Sequence, residues 1–595
     1  MAEHILIAIA WPYASAKIHT GNVTGSHLPG DICARYHRLN GDRVLMVSGS
    51  DSHGTPITVR AEQEGKSPKE VFERFHRSFL EMFLRLGISY DLFTHTDTEN
   101  HHRVSQDFFL ALLEKDYLYS EVQEQMYSEA QGRFLPDRYV EGTCPVCGYE
   151  GARGDQCDKC NTLLDPKELI DPRSKTDGST PVIRETEHFF LDLPKLAEVG
   201  LSQWLDEGKE HWRSNVITFS RNYVNEGLQG RPITRDLEWG IPVPVEGWEG
   251  KCLYVWFEAV IGYFSASREW AHNQGQPEAW KHWWYDPAAK TKYFIGKDNI
   301  PFHTVIWPAE LMGVARLYED DPSKKLNLPY DVPANEFMNL EGRKISGSRN
   351  WAVWMDDALD RYDPDPLRYY LTVAMPETRD TDWLWGDFVS RNNDELVATW
   401  GNLVNRALTF AYKRFNGQVP TPGPLADVDT QLLEKIEAGF APIGELIAGC
   451  QFRTALREVM ALAREANRYL EEKGPWFQIK EDVEAAGTTI YVALKAIDSL
   501  KVLFAPFLPF SSEQLHQYLG YEGKLFGRQY TDTFIEEGGR VHKALCYDPG
   551  DATGVWKPSE LAAVQALRQP EPLFKKLDES VVEEELARIG AAPSV

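Results

Sequence analysis

Apolar runs alternate with amphipathic stretches at the start of the chain. Residues 5–10 (ILIAIA) form a continuous apolar run, and a helix-like pattern follows as far as Arg38. Asn40-Gly41-Asp42 interrupts this pattern before a second apolar run at residues 44–47 (VLMV). Short apolar runs bounded by turn residues are typical of buried strands, so this order predicts a βαβ unit. Such a unit binds nucleotides where its first strand passes into the helix.

The same alternation continues, is interrupted, and then resumes. Amphipathic patterns predict helices over Ser67–Leu86 and about Asn100–Lys115. Between Tyr119 and about Arg231 there are only short strand-like pieces and many turns. Apolar runs at residues 251–256 and 292–295 then predict further strands. We therefore expect the middle region to be an insertion between two halves of one sheet.

From Phe388 onward the pattern is helical, with one long interruption at the Pro/Gly-rich segment 417–424. A succession of amphipathic helices with short connections predicts a helix bundle. The predicted fold class is α/β: a Rossmann-like nucleotide-binding catalytic domain with a cysteine-bearing insertion, followed by an all-α helix bundle. The expected units are residues 1–118 and 232–326 for the two catalytic halves, 119–231 for the insertion, 327–387 for a linking domain, 388–540 for the bundle and 541–595 for a C-terminal tail.

Composition limits the class of protein. The chain has 595 residues, of which 43% are hydrophobic and 26% charged, as in ordinary globular proteins. No apolar run approaches the length of a membrane span and no basic leader precedes the first strand, so we expect no membrane partner and a cytoplasmic location. The net charge of −26 argues against a generic nucleic-acid binder, because phosphate contacts need Lys or Arg. A local basic face remains compatible with RNA binding.

Four of the eight cysteines lie together in the insertion, as Cys144-Pro-Val-Cys147 and Cys157-Asp-Lys-Cys160. Two such pairs can present four thiolates tetrahedrally to zinc; redox chemistry and disulfides are the alternatives. Zinc is favoured in a cytoplasmic chain. Four sulfur ligands leave no open position, so the ion is expected to be structural and to hold together an insertion that lacks a core of its own. The cysteines at positions 33, 252, 450 and 546 are scattered and are expected to be buried thiols.

Two stretches carry residues suited to binding phosphate. His19 and Gly21 follow the opening strand at a predicted helix start, where free N–H groups and the helix dipole favour an anion. Residues 341–349 (EGRKISGSR) alternate small residues with Lys and Arg, which suits a flexible cationic loop that closes over a polyphosphate. Each stretch alone has a plainer interpretation, as a capped helix start and as a solvated basic loop.

Together, the two stretches resemble the signature motifs of class I aminoacyl-tRNA synthetases. Residues 19–22 (HTGN) resemble the HIGH motif, and residues 344–348 (KISGS) resemble the KMSKS motif, in the same order along the chain. Residues 134–138 (FLPDR), 187–190 (EHFF) and 296–298 (GKD) narrow the resemblance to the methionyl-tRNA synthetase family, and it covers about residues 5–510. That resemblance implies a ligase that uses ATP and Mg²⁺ to form methionyl-adenylate with release of diphosphate. The methionyl group would then pass to the 3′-terminal ribose of tRNA(Met), including the initiator tRNA.

The resemblance also implies roles for individual residues. The catalytic residues would be His19, Lys344, Ser346 and Ser348. The residues that bind ATP would be His19, Gly21, Asn22, Gly296, Asp298, Lys344 and Ile345. The methionine pocket would be formed by Trp11, Tyr13, Asp51, Trp256, Ala259, Val260, Tyr263, Phe302, His303 and Trp307. Asp51 would hold the substrate ammonium and the aromatic side chains would surround the thioether, with plain core packing as the alternative for the aromatic residues.

The predicted bundle supplies residues that resemble an anticodon reader. Asn402 and Arg406 lie four residues apart and so share a helix face, and Trp476 follows a proline. In the family these positions read the anticodon, a task suited to a Trp that stacks on an unpaired base beside hydrogen-bonding neighbours. A basic face is expected from Arg391, Lys413, Arg414, Arg464 and Arg468, with a solvated face as the alternative for each.

The sequence departs from the family pattern in both motifs. Asn22 stands where the second His of HIGH is usual, and Gly347 where the second Lys of KMSKS is usual. The positive charge that stabilises the transition state is then expected from Lys344 and a neighbouring arginine, Arg343 or Arg349. In the methionine pocket, Trp and Val stand at positions 11 and 260 in place of the Leu and Pro common in the family.

Two further departures concern metal content and assembly. Some family members carry a second zinc knuckle, whose cysteine positions are here Ser128, Gln131, Ser174 and Asp177. We therefore expect one structural Zn²⁺ per chain. No oligonucleotide-binding-like domain follows the bundle, so a monomer is expected.

Two other functions remain open at this point. Synthetases of the leucine, isoleucine and valine group need a large editing domain, because one methylene discriminates poorly, and the insertion here is short for that purpose. A synthetase-like paralogue that binds RNA or amino acid without aminoacylation is compatible with Asn22 and Gly347.

Overall fold

The computed structural model describes residues 2–136, 139–154, 157, 159–160, 162 and 164–590. Asp137 and Arg138, the last two residues of the FLPDR stretch, lie outside the described residues. None of the described helices is both long enough and apolar enough to cross a membrane.

The first catalytic half alternates strands and helices as expected. Its elements are β1 (His4–Ile9), α1 (Thr20–Asn22), α2 (Leu28–Leu39), β2 (Arg43–Ser50), α3 (Thr55–Glu64), α4 (Pro68–Leu86), β3 (Leu92–His95) and α5 (Glu99–Glu114). A π-helical stretch, Val23–His27, joins α1 to α2. The predicted boundaries of α4 are confirmed because Ser67 and Glu70 form a capping box at its start and Gly87 ends it in a left-handed conformation.

The insertion is built on a long antiparallel ribbon. Its elements are β4 (Leu118–Ser128), β5 (Arg133–Phe134), β6 (Val140–Thr143), β7 (Ala152–Arg153), β8 (Ile170–Ser174), β9 (Val182–Leu191), α6 (Leu193–Leu196), α7 (Ser202–Asp206), α8 (Ser214–Asn225) and β10 (Arg231–Pro232). β4 pairs with β9 along its length, and β7, β6 and β8 form a separate small sheet beside the cysteines.

The second catalytic half completes the sheet that the first half begins. Its elements are β11 (Thr234–Arg235), β12 (Cys252–Leu253), α9 (Val255–Asn273), α10 (Lys281–Trp284), β13 (Lys290–Gly296), α11 (Trp307–Val314) and β14 (Ala334–Asn335). β13 lies parallel to β1, with Tyr293 opposite Ala8, so the expected split sheet is confirmed. The prediction of a strand over residues 251–256 was wrong at the C-terminal end of that range, because α9 already begins at Val255. A short apolar run does not distinguish a strand from a buried helix start.

A linking region and a helix bundle follow. The linking region contains β15 (Met338–Leu340), β16 (Arg343–Lys344), α12 (Met355–Leu359), α13 (Pro364–Val373) and β17 (Thr381–Trp383). The bundle contains α14 (Trp385–Arg391), α15 (Asn402–Arg414), α16 (Asp427–Ala438), α17 (Phe440–Ala448), α18 (Phe452–Lys473), α19 (Pro475–Gln478), α20 (Val483–Phe504) and α21 (Pro509–Tyr518). A π-helical stretch, Asn392–Gly401, joins α14 to α15.

The C-terminal elements return to the catalytic region. They are β18 (Arg528–Ile535), β19 (Val541–Asp548) and α22 (Ser580–Arg588). β19 lies antiparallel to β3, so the central sheet has the order β14-β13-β1-β2-β3-β19-β18. The expected boundary between bundle and tail, at residues 540 and 541, falls inside this hairpin. The sequence did not reveal the hairpin because β18 is polar and mostly exposed.

Candidate active site

The stretch that resembles HIGH lies between β1 and α1. His19 caps α1: its Nδ1 accepts from the Asn22 N–H at 3.3 Å, and the Asn22 Oδ1 accepts from the His19 N–H at 3.1 Å. Because Nδ1 is an acceptor, the neutral ring carries its proton on Nε2. Burial lowers the pKa of His19 to about 4, so the ring is neutral at pH 7 and can donate from Nε2. The Asn22 backbone N–H thus orients the His19 ring, while the Asn22 side-chain oxygen holds the His19 backbone; within the described residues the Asn22 NH₂ group makes no hydrogen bond.

The two signature stretches touch each other. A Cβ added at Gly21 would lie 3.0 Å from His19 Cε1 and 3.3 Å from Ile345 Cδ1. The Thr20 N–H donates to the Val353 carbonyl at 3.0 Å, which ties the start of α1 to the segment that follows the Lys344 loop. A side chain at position 21 would therefore crowd the His19 ring and the Ile345 side chain, which favours glycine there.

Lys344 and the end of β13 face the same junction. Lys344 is exposed at the end of β16, and its Nζ lies 5.4 Å from the centroid of the Phe337 ring. Desolvation raises the pKa of Asp298, and the positive charge of Lys344 opposes that rise. A Cβ added at Gly296 would meet nothing within 4 Å, so the strand end beside Asp298 is open. The structure therefore brings the predicted ATP residues of the two catalytic halves and the linking region together.

The Lys344 loop is closed by its own backbone. Ser346 and Trp351 exchange N–H to carbonyl hydrogen bonds of 2.9 Å each. The Arg349 Nε donates to Ser346 Oγ at 3.3 Å, and the Arg343 guanidinium lies 4.9 Å above the Trp351 ring. Both arginines expected to supplement Lys344 are thus attached to this loop. The backbone of Ser348 belongs to the short 3₁₀ turn Gly347–Arg349, and its side chain lies outside the described part of the chain.

The glycine at position 347, where the KMSKS motif has its second lysine, also has a steric explanation. A Cβ added there would lie 3.2 Å from Trp354 Cη2. The Trp354 ring in turn lies beside the His19 ring, with their centroids 6.0 Å apart. A larger residue at position 347 would press on Trp354 and, through it, on His19.

Asp51 is a buried carboxylate at the end of β2. It is 3% exposed, and within the described residues its side chain accepts one hydrogen bond, from the His53 N–H at 3.2 Å. Burial, followed by the negative charge of Glu258, raises the pKa of Asp51 well above its usual value. A buried carboxylate in this situation is unfavourable unless a cation pairs with it. Because Tyr13 forms a parallel bridge with Asp51, the pocket side chain and the carboxylate are held side by side.

Tyr263 and His303 form an uncharged polar wall. Their Oη and Nε2 atoms lie 2.7 Å apart, and His303 Nδ1 lies 2.9 Å from the Asn299 carbonyl oxygen. Since a carbonyl only accepts, Nδ1 carries the proton and Nε2 accepts from the Tyr263 hydroxyl. Burial lowers the pKa of His303 to about 4 and raises that of Tyr263 well above its usual value. A neutral aromatic wall suits a polarizable thioether.

Trp11 fits between two glycines. A Cβ added at Gly49 would lie 2.1 Å from Trp11 Cζ3, and one at Gly262 would lie 2.7 Å from Trp11 Cε2 and Cζ2. The indole is therefore held between β2 and α9. Its Nε1 is buried without a hydrogen-bond partner among the described residues, and a polar atom of a ligand would satisfy it. The sequence analysis missed both glycines, although glycine within a strand indicates close approach.

A cavity of about 290 Å³ opens beside Tyr13 and Trp256. The Trp256 ring stacks on Phe302 with centroids 4.2 Å apart, and Tyr13 meets Trp256 edge-on at 6.0 Å. The lining also includes His53 and Trp239, which the sequence analysis did not select. Trp239 donates its indole N–H to the Ser52 carbonyl at 2.7 Å and so fixes the loop that carries Asp51. The Trp-rich composition of this region was the available signal.

The remaining predicted pocket residues lie at different depths. Ala259 and Val260 precede Tyr263 on α9, and Val260 is 2% exposed. Trp307 is fully buried, and its indole N–H donates to the Tyr293 hydroxyl at 3.0 Å. Because Tyr293 packs against Tyr263 with centroids 5.3 Å apart, Trp307 lies behind the pocket wall. The alternative of core packing thus describes Trp307 better than ligand contact.

A buried ion-pair network lies next to the pocket. His53, Asp97 and His102 have ligand atoms within 4.8 Å of one another, as a metal site would require. However, the Glu258 carboxylate bonds His53 Nδ1 at 2.9 Å, and Arg540 donates to Asp97 at 2.8 Å. These internal partners make the group an ion-pair network, which fixes the loop after β2.

The cysteine cluster has the dimensions of a zinc site. Cys144 Sγ lies 3.8 Å from Cys160 Sγ, and Cys147 Sγ lies 3.6 Å from Cys157 Sγ. Four sulfurs at about 2.3 Å from a tetrahedral ion would be about 3.8 Å apart, and a disulfide would require about 2.05 Å. The four thiols therefore fit a Zn²⁺ ion and are not paired as disulfides.

Polar residues occupy the positions of the absent second knuckle. The Gln131 amide Nε2 donates to Ser174 Oγ at 3.0 Å, and the Gln131 N–H donates to Ser128 Oγ at 3.2 Å. Asp177 accepts from the Ser179 N–H at 3.0 Å and from its hydroxyl at 2.7 Å. Hydrogen bonds thus connect this part of the insertion.

The predicted anticodon residues meet at one end of the bundle. The Arg406 guanidinium lies 4.4 Å above the Trp476 ring, and Asn402 is exposed one turn earlier on α15. The sequence analysis missed Phe477, whose side chain is 69% exposed beside Trp476. An exposed aromatic ring next to these predicted anticodon residues is a surface suited to base stacking.

Two family models match the chain. The model for class I tRNA synthetases (M) matches residues 5–408, and the model for the anticodon-binding domain of methionyl tRNA ligase matches residues 419–537.

Curated relatives match over almost their full length. The methionine–tRNA ligase of Thermomicrobium roseum is 58% identical over 593 residues, which cover 99% of this chain and 100% of the relative. That of Chloroflexus aurantiacus is 53% identical over 604 residues and covers 100% of both chains. A solved structure of the Mycobacterium tuberculosis methionyl-tRNA synthetase in complex with methionyl-adenylate has a TM-score of 0.75 and 23% identity. It covers 96% of this chain and 100% of that one, and it supports the fold.

Proposed function

Because the chain belongs to the methionine–tRNA ligase family of class I synthetases, we propose that it activates L-methionine with ATP and transfers the methionyl group to tRNA(Met), including the initiator tRNA. The observation that carries this proposal is a junction of three parts. The neutral His19 and Ile345 of the cationic Lys344 loop both lie against Gly21, and the buried Asp51 is held beside Tyr13, in the segments that follow the parallel strands β1 and β2. Parallel α/β sheets bind their ligands at the carboxyl ends of their strands.

The activation step requires positioning and charge stabilisation. A methionine carboxylate oxygen attacks the α-phosphorus of ATP, the new O–P bond forms, and the bond to the departing diphosphate breaks. Asp51 holds the substrate ammonium, which supplies the cation that the buried carboxylate lacks within the described residues. Tyr263 and His303 lie against the thioether. His19 donates from Nε2 to a phosphate oxygen.

The cationic loop opposes the negative charge that develops on the phosphates. Lys344 is the principal cation, and Arg343 and Arg349 supplement it in place of the lysine absent at position 347. Their attachment to Trp351 and Ser346 supports this assignment, because preorganised charges need less reorganisation during the reaction. Mg²⁺ bound to ATP would neutralise part of the triphosphate charge.

Two further roles belong to the insertion and the bundle. Cys144, Cys147, Cys157 and Cys160 hold one structural Zn²⁺, as their sulfur spacing suggests. Zn²⁺ held by these thiolates would join loops that otherwise pack around only a small core. At the far end of the bundle, Trp476 stacks on an anticodon base, while Asn402 and Arg406 make hydrogen bonds to base edges.

Amino-acid-dependent ATP–diphosphate exchange, measured with each of the twenty amino acids, tests the proposal. Exchange is expected with methionine and not with the others. Exchange with none of them would favour a synthetase-like paralogue that binds RNA or amino acid without aminoacylation. Exchange with leucine, isoleucine or valine would instead indicate a synthetase of the leucine, isoleucine and valine group. A second measurement, charging of tRNA(Met) transcripts, tests the transfer step. We also infer a cytoplasmic location and a monomeric state. Light scattering of the purified chain tests the monomeric state, for which the mass of one chain is expected.

A further inference from the structure

The stretch that contains α22 lies against the Lys344 loop. The Gly590 N–H donates to the Asn350 carbonyl at 3.0 Å. A Cβ added at Gly590 would lie 3.7 Å from Trp351 Cε3, so the backbone here lies next to that indole. Gly590 has a φ of +76°, a left-handed conformation that glycine adopts without strain. Residues 574–590, which we call the C-terminal segment, therefore reach the base of the cationic loop.

One side chain of α22 attaches this segment to the linking region. Glu585 is 3% exposed, and its carboxylate accepts from Arg361 Nε at 2.6 Å and from Arg361 Nη2 at 2.9 Å. The Tyr362 hydroxyl donates to the same carboxylate at 2.9 Å. A bidentate pair fixes the relative position of two groups, whereas its net contribution to stability is small because burial costs both charges their hydration. Glu585 therefore determines the position of α22 more than its stability.

The residues between Asn350 and Arg361 connect the Lys344 loop to α1. The Val353 carbonyl accepts from the N–H of Thr20, the first residue of α1, at 3.0 Å. The Trp354 indole N–H donates to Asn350 Oδ1 at 2.8 Å. Because Gly590 binds Asn350 and Glu585 binds Arg361, the C-terminal segment holds both ends of the connection between the two signature stretches.

The other end of the C-terminal segment is fixed to the bundle. The Asn393 Nδ2 donates to the Leu577 carbonyl at 2.9 Å, and the Asn393 Oδ1 accepts from the Leu577 N–H at 2.9 Å. The Asn392 amide donates to the Lys575 carbonyl at 3.0 Å. Phe574 is buried, with 7% of its surface exposed. The position of α22 is therefore tied to that of the bundle.

The Lys344 loop is itself weakly supported. Its exposed residues are Gly342, Arg343, Lys344, Gly347 and Arg349. A stretch with so few buried contacts opens at low cost in free energy. Asn350, where the loop ends, has a φ of +50°, and its N–H donates to the Gly347 carbonyl at 3.1 Å. The Gly590 hydrogen bond to the carbonyl of the same residue therefore restricts the loop at the point where it would open.

We propose that the C-terminal segment is a positioning element for the activation step, in which Glu585 and Gly590 hold the base of the Lys344 loop so that its cations stay beside His19. The inference rests on the proposed function and adds to it a part of the chain outside the nucleotide and methionine sites. Neither residue touches a substrate, and both act through the loop. A displacement of about 1 Å at a charge-stabilising group can cost about 10²-fold in rate, so such positioning has a measurable effect.

The test compares Glu585→Gln with Glu583→Gln in the full-length chain. Glutamine at position 585 keeps the shape of the side chain and removes the charge that pairs with Arg361. The maximal rate of methionine-dependent diphosphate exchange is expected to fall by about tenfold to 10²-fold, while the methionine Kd, titrated without ATP, stays unchanged. Glu583 is the matched control, because it lies on the same helix and is exposed. Its variant should react at the rate of the unaltered protein.

Hydrogen–deuterium exchange of the substrate-free chain gives a readout that does not depend on activity. The N–H groups of Ser346 and Trp351 should exchange faster in Glu585→Gln, whereas those of β1 and β2 should not change. Gly590→Pro removes the N–H donor at an exposed position, so it should loosen the loop without preventing folding. Combining Arg361→Gln with Glu585→Gln should cost no more than either change alone, since both remove the same pair.

Three results would overturn the inference. One is an unchanged diphosphate-exchange rate and unchanged loop protection in both Glu585→Gln and Gly590→Pro. Another is faster hydrogen–deuterium exchange throughout the catalytic region, which would indicate a general role in stability. The third is a loss of methionine affinity that matches the loss of rate. If the unaltered chain shows no methionine-dependent diphosphate exchange, the proposed function fails, and hydrogen–deuterium exchange of residues 344–354 still decides whether the segment holds the loop.

Discussion

Replacing Asp51 with asparagine should separate the stability of this protein from its methionine affinity. The folded chain buries this carboxylate with a single hydrogen bond among the described residues, and its pKa is raised well above the usual value. A raised pKa means that the folded state favours the protonated form. The ionised carboxylate therefore lowers stability at neutral pH, by about 1.4 kcal/mol for each pKa unit of elevation. Asparagine keeps the acceptor oxygen and removes the charge.

The magnitudes follow from the partners. Loss of one partner in a desolvated, charge-assisted pair costs about 2–5 kcal/mol, so the methionine Kd should rise by about 30-fold to 5,000-fold. The melting temperature of Asp51→Asn should rise by about 1–2 °C. This gain is absent at low pH, where the native carboxyl is also protonated. It grows as pH rises from the unfolded pKa, near 4, to the folded pKa, and then stays constant.

Asp31→Asn is the matched control. Asp31 is also buried, but Arg35 and Arg368 overcome the effect of burial and hold its pKa at about 2. Its ionised form stabilises the fold above the unfolded pKa, and that stability is lost as pH falls toward the folded pKa. Asparagine at position 31 should therefore lower the melting temperature. Thermal melts and methionine titrations of both variants check the pair. An unchanged methionine Kd in Asp51→Asn, or a melting temperature that falls as in Asp31→Asn, would refute the reasoning.

Four further outcomes are expected. Lys344→Ala should slow diphosphate exchange by about 10²–10³-fold while leaving the methionine Kd unchanged in a fluorescence titration, and equal losses would contradict its assignment to the transition state. Gly21→Ala should lower the exchange rate, because the added methyl group presses on the Ile345 side chain; a rate within twofold of the unaltered protein would show that the contact is not critical. Tyr263→Phe should weaken methionine binding by about tenfold, since it leaves a buried histidine nitrogen without a donor, and an unchanged Kd would argue against that pair. Metal analysis should find one zinc per chain and a loss of that zinc in Cys144→Ser, whereas none or two in the unaltered chain would contradict the single site.

Local pattern was sufficient for most of the elements that form the cleft. The strands β1 and β2 are continuous apolar runs, and α4 has its own capping residues, so periodicity and turn residues defined them. Motif resemblance placed His19 and Lys344 in one cleft, and the contact between Gly21 and Ile345 agrees with that placement. These features depend on neighbours in sequence or on a short motif, which a single chain displays directly.

Features set by long-range contact were not predictable in this way. The hairpin of β18 and β19 joins the catalytic sheet through β3, although its first strand carries no apolar run. Gly49 and Gly262 matter only because Trp11 inserts between them from a third element. Trp307 looked like its aromatic neighbours in sequence, and only its hydrogen bond to Tyr293 places it behind the wall.

Burial also determines where positive charge can come from in this acidic chain. His19 and His303 both have a pKa of about 4, so at physiological pH neither contributes a charge to the cleft. A neutral histidine can donate one hydrogen bond to a phosphate oxygen, but it adds no net positive charge to the site. Cationic charge is left to Lys344 and its arginines, which are exposed and therefore less costly to keep ionised before ATP binds. The positive charge that stabilises the transition state can then come from an exposed loop, while the buried side chains orient the substrates. It follows that the exchange rate between pH 6 and 8 should not report either histidine, and a titration step near pH 6.5 that disappears in His19→Gln would contradict this division of roles.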